Sequence, residues 1–227
     1  MTVQAAPGGT TTSRQLEELL GEAHASAYRF PADFAGFAAV LTMTGSGGRG
    51  TGTVTARGPS SVVVSLDAPE AEHAWAAKEL NSMVAHRWHQ PYDAGDGRYP
   101  KEGDADGAHP LGRLVRLVGD PYSSSYRVLD GHVSVVERHM GPMRFCIVVH
   151  ERGPAPDRRT VPSTFTVTYW NAATGALTRA DAYSDAYTEV DGVMLPLSRR
   201  VVTATDDGLV TRQLRLSELH VLAGNAS

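Results

Sequence analysis

Five tight-turn signals punctuate the second half of the chain at short spacing: Asp130-Gly131, Gly141-Pro142, Thr174-Gly175, Asp191-Gly192 and Asp207-Gly208. Asp-Gly between alternating apolar runs is the strongest short-range hairpin signal, because the turn needs residues that tolerate a positive φ. The runs it separates cover 113–118, 124–129, 132–139, 144–150, 164–170, 177–187, 193–203 and 209–219. Strands joined by turns this short can only run antiparallel. Phe165, Val167 and Tyr169 project to one side, Thr164, Thr166 and Thr168 to the other. One face is therefore buried and the other wetted.

The first half contributes three more strands, over 34–43, 51–56 and 61–66, the first two joined across Gly45-Ser46-Gly47-Gly48. About ten or eleven such strands cannot stay flat, and they curl into a barrel or half-barrel. Two segments read as helices. Over 12–28, Leu16, Leu19, Leu20, Ala23 and Ala27 recur at helical spacing, Thr12 and Gln15 can form a capping box, and Pro31 follows the end. A second helix starts near Pro69, with Glu70 and Glu72 in its first turn and Ala76, Leu80, Met83 and Val84 as its apolar stripe, and Pro91 closes it.

The expected fold is mainly β (α+β): a large curved antiparallel sheet, a half-barrel, with two helices packed in its concave face. A disordered tail is expected over 1–11 and a single domain with a ligand cavity over 12–222. The stretch 90–110, rich in Gly, Asp and Pro, reads as a lid or a disordered connection.

Composition narrows the function. Hydrophobic residues at 41% support a sizeable core, and a net charge of −4 gives no general attraction to nucleic acid. No run approaches the ~20 apolar residues of a membrane span. The N-terminus lacks the basic start and apolar core of a secretory signal, so the expected location is cytoplasmic. Cys146, the only cysteine, lies in a strand-like run and reads as a small core residue. The oligomeric state is open.

The richest stretch for chemistry is Asn81-Ser82-Met83-Val84-Ala85-His86-Arg87-Trp88-His89-Gln90-Pro91. If the helix continues through it, His86 and His89 lie about 60° apart on the side that also carries Glu79 and Ser82. Three readings stay open: a metal pair completed by His109 or a loop aspartate, an acid/base histidine oriented by Glu79, or basic side chains closing a helix end.

Elsewhere, Asp181, Tyr183, Asp185 and Tyr187 share one strand face. Glu137 and His139 share a face with Val133 and Val135. A carboxylate there needs a partner such as Arg127, Arg138 or Arg144. The glycines at 45–50 are not followed by a helix or by Lys-Ser/Thr, so they form no phosphate loop. No dinucleotide fingerprint, nucleophile elbow or cysteine cluster occurs, and neither cofactor nor metal is expected.

Tyr28-Arg29-Phe30-Pro31-Ala32-Asp33-Phe34-Ala35-Gly36-Phe37, Ala85-His86-Arg87, His109-Pro110-Leu111-Gly112, Ser124-Ser125-Tyr126-Arg127-Val128 and Leu195-Pro196-Leu197-Ser198-Arg199 carry a family likeness. Together they resemble an uncharacterised bacterial and plastid family, domain of unknown function 3386. The order of helix and long antiparallel strands is also similar to the half-barrel of LolA-type lipoprotein carriers. The resemblance implies a curved sheet that holds helices and an apolar cavity.

The combined expectation is a cofactor-independent acid/base enzyme, a cyclase or dehydratase, acting on a bulky apolar small molecule. His86, His89, Glu137 and Tyr183 are its candidate catalytic residues. Trp88, Tyr126, Arg138 and Tyr187 are its candidate substrate-binding residues. The alternative is a non-catalytic carrier of a lipid-like ligand.

Overall fold

A computed structural model describes residues 12–103 and 109–224. The expected disordered tail over 1–11 lies outside the described residues, as does the stretch 104–108 of the long connection. Among the described residues, twelve strands form one open, curved antiparallel sheet, and two helices occupy its concave side.

Helix α1 (Ser13–Ser26) begins with the expected capping box: Gln15 N–H donates to Thr12 Oγ1 at 3.3 Å and Thr12 N–H to Gln15 Oε1 at 2.9 Å. Strands β1 (Phe37–Gly45), β2 (Gly48–Gly58) and β3 (Ser61–Asp67) form a meander, and helix α2 (Glu70–Ala85) follows. Strand β1 starts three residues later than expected. The strand opens just after Gly36, at φ 113°, which crosses β2 so closely that a Cβ would stand 2.0 Å from the Ala56 carbonyl oxygen.

The long connection is ordered over 90–103. It carries two 3-10 turns, Tyr92–Ala94 and Asp96–Arg98, and the two-residue strand β4 (Lys101–Glu102). The remaining strands are β5 (Arg113–Leu117), β6 (Ser125–Leu129), β7 (His132–Met140), β8 (Met143–Pro154), β9 (Thr160–Asn171), β10 (Leu177–Val190), β11 (Val193–Thr205) and β12 (Gly208–Val221). Two of the three Asp-Gly turns behave as the sequence predicts, while at the third the turn falls on Asp206 and Asp207 and Gly208 opens β12. Asp130 and Gly131 have φ of 50° and 73°, and Asp191 and Gly192 have 51° and 77°, the twisted geometry that matches a hairpin.

Across the sheet the order is β3-β2-β1-β12-β11-β10-β9-β8-β7-β6-β5-β4. The N-terminal meander thus docks on the last strand, with Phe37 opposite Val221 and Met43 opposite Leu214. Helix α2 packs over β2 and β3, and α1 packs over β4, β6 and β7. Under α2 lies the largest core, built from Phe37, Leu41, Met43, Val54, Leu80, Val84 and Leu214 with Phe30 and Leu195. Under α1, Leu16, Leu20 and Ala23 close on Val115, Leu117, Tyr126 and Val128. Strands β8, β9 and β10 lie between these two covered zones.

Candidate functional site

The uncovered centre of the sheet carries an apolar floor. Val167, Tyr183 and Val201 are buried there, and Phe145, Ile147, Phe165 and Tyr169 lie half-buried around them on the face that meets Trp75 of α2. Phe165 and Tyr183 stack with ring centroids 4.6 Å apart and planes 7° from parallel. Every residue of β8 from Met143 to Val149 is half-buried, whichever face it projects from. Large side chains at this register are left partly open, although Trp75 of α2 packs against the cluster.

One wall of the floor is a buried ionic network anchored on Arg199, which is 6% exposed. Its Nε and Nη2 donate to the two oxygens of Asp185 at 2.8 and 2.6 Å, and its Nη1 donates to Glu79 of α2 at 3.0 Å. The guanidinium also lies over the Tyr183 ring at 4.9 Å. Tyr187 Oη donates to Asp185 at 3.3 Å and accepts from Arg87 Nη2 at 3.3 Å. Carboxylate partners hold the Arg199 guanidinium above its usual range against the pull of burial, while burial pushes the Glu79 carboxyl up. The network pins α2 across β10 and β11. It is a planar, bidentate use of arginine that lysine could not reproduce.

At the opposite wall, Arg138 Nη2 donates to Tyr126 Oη at 2.8 Å, and Tyr126 donates to Asp96 at 2.8 Å. Burial pushes the Tyr126 hydroxyl up to about 12. Arg138 and Tyr126, two of the expected binding residues, therefore meet each other beside a recess of about 220 Å³ that Asp96, Tyr99 and Tyr122 also line. Tyr187 meets Arg87, and Tyr183 belongs to the floor, donating to Asp181 at 3.4 Å while burial holds its hydroxyl far above the ordinary range. Trp88 packs into the core against Phe30 and Phe34, at 5.7 and 5.4 Å.

The histidines are placed differently from the helical projection. Helix α2 stops at Ala85, His86 is its C-cap, and His89 lies beyond the helix. Both side chains are exposed. His86 Nδ1 sits 2.8 Å from the Ser82 carbonyl, an interaction that closes the helix end. Surrounding protein and the charges of Arg87, Arg199 and Arg138 hold its imidazole below the usual range, so it is neutral at neutral pH.

Glu79, expected to orient a histidine, is spent on Arg199 instead. It lies in the buried stripe of α2 with Glu72, Ala76, Leu80 and Met83. Glu137 is separated from the other candidates by a bulge. Between β6 and β7 the register shifts, with Val128 opposite Val133 and Arg127 opposite Val135. Ser134 is the extra residue, so Val133, Val136 and Arg138 face the helices while Val135 and Glu137 face outward. Glu137 lies opposite Ser125, whose hydroxyl donates to it at 3.5 Å, and among the described residues it makes no ion pair with Arg127, Arg138 or Arg144. Cys146, across from it on β8, is half-buried, and burial and the Glu137 charge push its thiol up to about 11.

Sequence reasoning missed Arg199 as an anchor. The available signal was parity: Arg199 and Val201 share the buried side of β11, opposite Asp185 and Tyr183 of β10. Among the described residues no three His, Cys, Asp or Glu side chains converge as metal ligands do, and no helix is long and apolar enough to cross a membrane.

The family model described as protein of unknown function (DUF3386) matches residues 11–222. No curated protein matches the chain. Among solved structures, the chain is similar to the LolA superfamily protein NE2245 from Nitrosomonas europaea at 13% identity, over 94% of this chain and 95% of that one, with a TM-score of 0.39. A fainter likeness, 12% identity and a TM-score of 0.22 over 92% of this chain and 99% of that one, links it to the Pseudomonas aeruginosa MucA/MucB complex structure.

Proposed function

The chain belongs to the family of unknown function DUF3386, and we propose that it binds an apolar ligand on the open floor of its sheet, as a carrier or binding protein. The carrying observation is the row of large apolar side chains, Phe145, Ile147, Phe165 and Tyr169, left half-buried at the middle of the sheet. Apolar groups at the centre of a fold are ordinarily closed off by another layer. Here the two helices stop to either side, and a ligand lying on β8 and β9 would complete the layer. At about 25 cal/mol per Å², covering a few hundred Å² of such surface is worth several kcal/mol before the cost of association.

A second reading keeps proton chemistry at the same place. It is favoured by His86, a neutral imidazole open to solvent within range of Arg138 and Arg199. It would make the chain a cofactor-independent cyclase or dehydratase, with the ligand as substrate.

One titration tests both. The neutral apolar fluorophore N-phenyl-naphthylamine should bind saturably, and Ile147→Asp should weaken it by tenfold or more, about 1.4 kcal/mol. Absence of saturable binding to the folded chain would overturn the carrier reading. If a bound molecule is turned over and His86→Asn stops turnover while binding persists, the enzyme reading prevails.

A further inference from the structure

The residues after α1 are threaded between two elements. Tyr28 N–H donates to the Thr160 carbonyl at the start of β9, at 2.9 Å, and Phe30 N–H donates to the Arg87 carbonyl beyond α2, at 2.7 Å. Arg29 sits between these two bonds, one residue from the contact with Arg87. Arg152 follows Val149 on β8, and Val149 pairs with Phe165 of the floor.

None of these three arginines has a carboxylate partner among the described residues. Arg29 donates to the carbonyls of His24 and Ala27, at 2.9 and 3.4 Å. Arg152 donates to the Val133 carbonyl and lines an open recess of about 270 Å³ with His132 and Val149. Arg87 has only the Tyr187 hydroxyl and the His86 carbonyl, and its Nε is buried without any partner.

Three nearby acids are engaged elsewhere, while Asp130 lines the recess beside Arg152. Asp185 and Glu79 bind Arg199, and Asp96 accepts from Tyr126. Burial and the charge of Arg87 lower the acidity range of both Arg29 and Arg152, with Asp96 opposing the shift at Arg29. Arg199 and Arg212, by contrast, are each paired with a carboxylate.

We propose that Arg29, Arg87 and Arg152 bind the anionic head group of an amphipathic ligand whose apolar chain lies along the floor from Phe165 toward Phe145. This rests on the apolar-ligand reading and specifies its ligand class: a single-chain amphiphile ending in a carboxylate or a phosphomonoester. Both anions match the forked donors of arginine, and a neutral head group would leave the cations uncompensated.

The test is calorimetric titration of the purified full chain with oleate, oleoyl lysophosphatidate and oleyl alcohol, which share one chain and differ in head group. An anion should bind about tenfold or more tightly than the alcohol, and that preference should shrink in high salt. Whichever anion binds more tightly identifies the head group. Arg152→Gln should reduce the anion-over-alcohol preference at least about threefold, and Arg29→Gln serves the same purpose should the first variant fail to fold. Equal binding of acids and alcohol, or a preference unchanged in both variants, would overturn the head-group assignment and leave the apolar-ligand reading standing. Failure of all three amphiphiles to bind would overturn both.

Discussion

Strands β1 and β8 belong to the same sheet and have similar apolar content, yet they live in different environments. In β1 every second residue from Phe37 to Met43 is buried, with Phe37, Leu41 and Met43 wholly inaccessible. In β8 the run from Met143 to Val149 is half-buried on both sides. The difference lies in the third dimension. Helix α2 and the chain around Phe30 seal β1, and among the described residues neither helix packs over β8 as α2 does over β2 and β3. A strand's own pattern sets which side each residue takes. The elements stacked above decide how dry that side becomes, and here they leave dry zones under the two helices and a half-open zone at the centre.

The most severe way to break this contrast is to cut the tie between the zones. Arg199→Met strands the carboxylates of Asp185 and Glu79, and the loss should be about 3–5 kcal/mol, read as a lowered urea midpoint. Adding Asp185→Asn and Glu79→Gln should recover part of it. A smaller effect compares the zones directly. Leu80→Ala, inside the sealed core, should cost about 2–5 kcal/mol, whereas Ile147→Ala on the floor should cost about 1 kcal/mol in the ligand-free chain. Equal costs would mean that the floor is as well packed as the core and has no vacancy for a ligand.

The gentlest probe is acid. Burial and Arg29 push the His24 imidazole down to about 4. Between that value and the ordinary 6.5 the unfolded chain binds more protons, so stability rises with pH across this window and is lost as pH falls through it. Denaturation midpoints at about pH 5 and pH 7 should differ by on the order of 1–3 kcal/mol, and His24→Gln should flatten the slope.

Much of the scaffold is legible in the sequence, because its signals are local. Thr12 and Gln15 announce a cap, Asp130-Gly131 and Asp191-Gly192 announce turns, and the Phe165-Val167-Tyr169 alternation announces a two-faced strand. The site is less legible because its signals are interrupted. One bulge at Ser134 reverses the parity of β7, so Glu137 turns outward although counting from Val133 places it inside. Helix α2 ends four residues before His89, and no glycine follows it to mark that end. The pairing of Glu79 with Arg199 spans 120 positions, and only the charged residues lying within each element's apolar stripe hint at it. Arg29, Arg87 and Arg152 are ordinary surface arginines in sequence. Their convergence depends on a segment threaded between β9 and α2.

The pairing of β1 with β12 has a consequence for how the chain is made. As the polypeptide leaves the ribosome, β1 to β3 and α2 emerge early, but the outer hydrogen-bonding edge of β1 must wait for the strand that ends at Val221. Until β12 is made, that edge is an unsatisfied template, open to self-association or to a chaperone. Moving the last strand ahead of β1 by circular permutation would remove the wait, and nascent chains of such a rearranged protein should gain protease resistance well before they are complete.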